Sequence, residues 1–143
     1  MALESIFSTA GLIAAAGWLL LVLLPKQRIA QTMAGLVLPL LLSALYLFLI
    51  ARHFSGAPGG FGSLADVALL FSQRELLLAG WVHYLAFDLF IGAWETRDAQ
   101  RHQIFQLVMI PCLVMTFMLG PIGLLFYFAI RTAKTRRLNV GAA

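Results

Sequence analysis

"GWVHYLAFDLFIGAWE", residues 80–95, places an imidazole, a phenol and two carboxyls in a run that is otherwise apolar. About 20 mostly apolar residues cross a bilayer core as a helix. The run from Leu76 to Trp94 has that length and contains only His83 and Asp88 as ionisable breaks. At about 1.5 Å per residue, Asp88 lies near the middle of such a helix. An ionisable residue at that depth costs a few kcal/mol or more, so it faces a cavity or a partner rather than lipid. Tyr84 precedes Asp88 by one helical turn, which lets phenol and carboxyl meet on one face. Trp81, Tyr84, Asp88, Ile91 and Glu95 follow a three-four spacing and form one inward stripe, while His83, Phe87, Phe90 and Trp94 form the adjacent one. His83 and Asp88 are five residues apart and differ by about 140° around the axis. They meet only in a groove shared with neighbouring helices.

The rest of the chain is as apolar as this stretch. Of 143 residues, 62% are hydrophobic and 11% charged, with a mean hydropathy of +0.92. A soluble domain carries roughly 25% charged residues, so this chain cannot cover itself with polar groups, and membrane lipid is its expected surroundings. The net charge of +4 does not indicate nucleic acid. The ten Lys and Arg lie at or between the ends of apolar runs, where they read as headgroup and topology signals. A lone Cys112 allows no intrachain disulfide and is expected to be a buried, inert thiol.

Four spans are expected, at about 5–24, 29–51, 74–94 and 103–130. In hydrocarbon each segment must satisfy its own backbone, which makes them helices. Short links give a single membrane domain over 1–143, an all-α, four-transmembrane-helix up-down bundle. The first span has Glu4 and no Lys or Arg before it, which argues against a signal peptide. Its "TAGLIAAAG" stretch offers small residues for close helix approach. The second link holds "FSGAPGGFG" and then an amphipathic segment at about 63–72, expected as a short interfacial helix. Ser63 with Asp66 and Ser72 with Glu75 both resemble capping boxes. Four crossings with the N-terminus inside put Arg52, Arg74, Arg131, Lys134, Arg136 and Arg137 on the inner side. Lys26, Arg28, Arg97 and Arg101 then lie outside, which favours both termini in the cytoplasm. The run "ETRDAQRH", 95–102, reads as a solvated link in which Asp98 and Arg101 pair locally.

Pro39, Pro111 and Pro121 are each expected to kink their helices, and the two kinks at Pro111 and in "GPIGLL" at Pro121 bow the last span. Such a bow either leaves room for a flat or rod-like ligand or, as is commoner, is a kink without one. No metal is expected. Only three histidines exist, His53 and His102 sit at span ends, and spans one, two and four lack interior carboxylates. Phosphate loops and nucleophilic triads are absent as well.

"GWVHYLAFDLF" followed by Arg101-His102, "PCL" and "GPIGLL" resembles the abscisic-acid-deficient-four-like family of membrane proteins, over nearly the whole chain to Arg131. Its most specific part here is His83, then Asp88, Leu89 and Phe90. The resemblance implies a carotenoid ligand. Plant members are tied to the formation of neoxanthin from violaxanthin, an isomerisation in which an epoxide opens to an alcohol while a nearby carbon loses a proton and an allene forms. Such a step needs an acid at the oxygen and a base at the carbon, and no cofactor in principle. Asp88 as base with His83 or Tyr84 as proton donor is the assignment the motif permits. Trp81, Phe87, Trp94, Glu95 and Pro121 are expected to line the substrate. The alternative is a non-enzymatic subunit that binds a pigment or lipid, or braces a larger membrane complex.

Overall fold

The computed structural model describes residues 3–136, and every regular element among them is helical. Three helices are long and apolar enough to cross a bilayer: Leu3–Leu23, Arg28–His53 and Arg74–Arg101. The first is α1. The second runs continuously through α2 (Arg28–Thr32), a π-helical turn (Met33–Val37) and α3 (Leu38–His53). Pro39 explains the wide turn. It brings no N–H to the helix ladder and its ring crowds the preceding turn, so the backbone widens there into a π turn. A short α4 (Leu64–Phe71) follows in the second link, and then α5 (Arg74–Arg101). Ser63 caps α4, its hydroxyl accepting from the Asp66 N–H at 3.1 Å. The second capping box does not form. Ser72 instead donates to the Leu69 carbonyl at 2.6 Å, and Gln73 precedes the first turn of α5.

Helix α5 is the axis of the fold. Its 28 residues extend about 42 Å, and α1, α3 and the later helices pack around it. Ala10 and Ala14 of α1 are fully buried against Ala79, Val82 and Ala86 of α5. Small side chains bring the two backbones together where lipid supplies no hydrophobic drive. One turn deeper the Trp18 ring fills the space over Gly92, where any Cβ would collide with it. Gly92→Val is therefore expected to cost about 1–3 kcal/mol through overpacking. Unfolding in mixed micelles measures this, and a loss below about 0.5 kcal/mol would show that the contact is loose.

The segment expected as a fourth span is not one helix. It divides into α6 (Gln106–Leu119) and α7 (Pro121–Thr135). Gly120 between them has φ 53°, a conformation open to glycine and strained for other residues. Pro121 opens α7 at the first helical position, where its missing N–H leaves no vacancy. Pro111 sits inside α6 without ending it. The two helices fold back on each other as a hairpin, with Gly123 pressed on Thr116.

The hairpin enters and leaves at one end of the bundle. Gly120, at its tip, lies beside Asp88 in the middle of α5. Tyr127 then meets Asp98, Arg131 meets His102, and the Lys134 amine contacts the Gln103 carbonyl. The start of α1 is at the opposite end, where Arg74 holds Glu4 at 2.6 Å. Among the described residues three helices, rather than the expected four, are long and apolar enough to span, and the start of α1 and the end of α7 lie at opposite ends of the bundle. Arg131, Lys134 and Arg136 belong with Arg97 and Arg101, and Arg137 lies outside the described residues.

Candidate functional site

The hairpin covers a polar stripe on α5. Tyr84 donates to the Phe117 carbonyl at 3.1 Å, using the last turn of α6 as acceptor. Asp88 is one turn below, within electrostatic reach of Tyr84. Its Oδ2 is buried and has no hydrogen-bond partner. A Cβ built on Gly120 would stand 3.3 Å from that oxygen, so the bare glycine lets the hairpin tip sit directly against the carboxyl. Two turns on, Glu95 is fully buried and accepts from the Thr116 hydroxyl at 3.0 and 3.1 Å.

The stripe continues beyond Glu95. Asp98 is buried, accepts from the Tyr127 hydroxyl at 2.5 Å, and pairs with Arg131 at 3.1 Å. Arg131 also reaches His102 Nε2 at 3.0 Å. Residues 95–101 are thus the last two turns of α5, with His102 at its C-terminal cap, and not a solvated link. Asp98 pairs across the hairpin rather than locally with Arg101, because α7 brings a phenol and a guanidinium to it. The signal for this was the three-four spacing, which runs on unbroken from Glu95 to Asp98 and His102.

A family model described as ABA DEFICIENT 4-like matches residues 5–127. The chain belongs to that family. No curated protein and no solved structure matches it. The matched stretch in this ABA DEFICIENT 4-like protein contains Tyr84, Asp88, Glu95, Asp98 and Tyr127, and stops short of Arg131. Its apolar helices fit a membrane protein.

The residues expected to form the site divide between two faces of α5. Tyr84, Asp88 and Glu95 lie against the hairpin. Trp81 extends that face, stacked between Phe7 at 5.5 Å and Tyr84 at 5.4 Å. Trp94 sets its edge on Tyr127 at 5.8 Å. His83 is elsewhere, stacked on Phe87 at 4.6 Å and close to Tyr46 of α3 at 5.4 Å. The structure does not bring His83 or Phe87 to Asp88, and the 140° between His83 and Asp88 explains why. Pro121 is an exposed part of the hairpin turn. Cys112 is fully buried in the apolar cluster between α5 and the hairpin.

Proposed function

We propose that this protein binds a carotenoid within the membrane and isomerises it at Asp88 and Tyr84. The observation that carries the reading is the buried, unpartnered Asp88 oxygen one turn from a phenol, at the break between α6 and α7. In an epoxide-to-allene rearrangement, Asp88 takes the proton from carbon. Tyr84 gives its proton to the opening oxygen, and the Asp88 proton then returns to Tyr84. One carbon–hydrogen bond and one carbon–oxygen bond break, one carbon–carbon π bond and one O–H bond form, and nothing is oxidised. The phenol donates to a backbone carbonyl in the free protein, so a substrate oxygen can replace that acceptor at little cost. Trp81, stacked on Tyr84, supplies a flat apolar wall, and Glu95 and Thr116 hold the hairpin. His83 is left out of the chemistry by its position on the other face.

The test is pigment analysis in carotenoid-producing bacterial hosts that offer epoxy-carotenoids. General acid–base groups contribute about 10²–10⁴-fold. Asp88→Asn and Tyr84→Phe should each lower product by at least about a hundredfold in protein that still folds, while His83→Gln should stay within a few-fold. A folded Asp88→Asn chain with unimpaired turnover refutes the assignment. Pigment that copurifies with an intact chain yielding no product favours the non-enzymatic subunit, alone or in a larger membrane complex.

The same reading places the protein in a bacterial inner membrane with the Gln103 end in the cytoplasm. Lys26, Arg28, Arg97, Arg101, Arg131, Lys134 and Arg136 gather at that end, against Arg52 and Arg74 at the other. Cytoplasmic flanks carry the excess of Lys and Arg.

A further inference from the structure

On the side of α5 away from the hairpin, Arg97 projects toward the π-helical turn. Its guanidinium is seated over Gly35, where any Cβ would collide with it. Its hydrogen bond among the described residues is long, Nη1 to Gln31 Oε1 at 3.4 Å. Among the described residues no carboxylate forms an ion pair with it. Asp98 is adjacent in sequence, but it is turned to the hairpin and held by Arg131 and Tyr127. Arg101 stands one turn further along the same face of α5. The turn between α1 and α2, which carries Lys26 and Arg28, is tied to this end through Gln100, whose amide donates to the Pro25 carbonyl at 2.6 Å. Here cations converge at one end of the bundle, and among the described residues no carboxylate pairs with Arg97 or Arg101.

Gly35 also begins an apolar crevice. A cavity of about 250 Å³ runs between α3 and α5, lined by Gly35, Leu36, Pro39, Leu40, Phe87 and Phe90. Its one hydroxyl, on Ser43, is engaged with the Pro39 carbonyl at 2.8 Å. Leu36, Leu40, Phe87 and Phe90 are all exposed, so the crevice opens sideways to the bilayer. The space suits a flexible chain and is too small for a folded partner.

We propose that this cleft binds one anionic glycerophospholipid. The phosphate sits on Arg97 and Arg101, and an acyl chain lies in the crevice below. Guanidinium groups meet phosphate oxygens in a planar, bidentate fashion, and basic pockets between membrane helices take anionic head groups. Charge complementarity above and an apolar slot directly beneath select a lipid over a free anion, which would use only the upper part. They also select it over an uncharged pigment, which would use only the lower part.

The test uses the full chain in dodecyl maltoside, titrated with dioleoyl phosphatidylglycerol or dioleoyl phosphatidylcholine. Retained lipid is counted by native mass spectrometry. One phosphatidylglycerol per chain should be retained, at least tenfold more tightly than phosphatidylcholine. Arg97→Gln should erase that preference. Leu40→Trp fills the crevice, leaves the cations intact, and should weaken phosphatidylglycerol about tenfold. Because Leu40 is exposed, that variant keeps the test open if Arg97→Gln does not fold. Equal retention of the two lipids overturns the proposal, as does unchanged binding in Leu40→Trp. Full displacement by millimolar inorganic phosphate would show a site for the anion alone, and overturns it too.

Discussion

Arg131→Met is expected to lower the stability of the folded chain by about 3–5 kcal/mol, because it strands a buried carboxylate. Asp98 is 6% exposed and Arg131 3% exposed, so neither can turn to water when its partner is removed. The Tyr127 hydroxyl would remain on Asp98 and the His102 ring 3.7 Å from it, but neither replaces the lost guanidinium. Asp98→Asn should cost less than Arg131→Met, since the amide can still accept from Tyr127. The double variant should recover a large part of the single loss, because removing both charges also removes the desolvation they share. Reversible unfolding in mixed micelles measures all three. A cost below about 1 kcal/mol for Arg131→Met would mean that the pair is wet and that something else holds the hairpin. The clamp bears on function through geometry. Asp98, Tyr127 and Glu95 fix the height of the hairpin along α5, and that height sets Gly120 against Asp88.

These contacts also show what could and could not be read from the chain. The spanning helices and the stripe from Trp81 to Glu95 were legible, because apolar length and three-four spacing are local properties. The clamp was not. Asp98 and His102 continue the same spacing, but they stand among Arg97, Gln100 and Arg101, and a dense polar run looks solvated. What buries Asp98 is Tyr127 and Arg131, about thirty residues away in an apolar stretch that gives no hint of facing it. The hairpin was hidden for a related reason. Gly120-Pro121 inside an apolar run is compatible with a kinked span or with a reversal. Both leave the same composition, and only the packing of Gly123 on Thr116 and of α7 on α5 separates them. His83 shows the converse. It was singled out by its place in a motif, yet its angular position on the helix already set it apart from Asp88.

A reporter fused to the amino end and one fused after Ala143 should give opposite results. Three helices long enough to span and a hairpin that returns to its point of entry would put the start of α1 and the end of α7 at opposite faces of a bilayer. On the proposed orientation, alkaline phosphatase after Ala143 should be inactive and a fluorescent protein there bright, while a tag ahead of Glu4 should be open to protease from the non-cytoplasmic side. Because the hairpin reaches only to Asp88, cysteines placed at Ile122 and at Ala133 should differ. The one at Ala133 should react with a membrane-impermeant maleimide from the cytoplasmic side, and the one at Ile122 from neither side. If both ends of the chain report the cytoplasm, then 103–130 crosses the bilayer. Asp98 would then lose its contact with Tyr127 and Arg131, and Arg131→Met would have little effect on stability. The topology and the clamp stand or fall together, because the ion pair can form only if α7 turns back alongside the second half of α5.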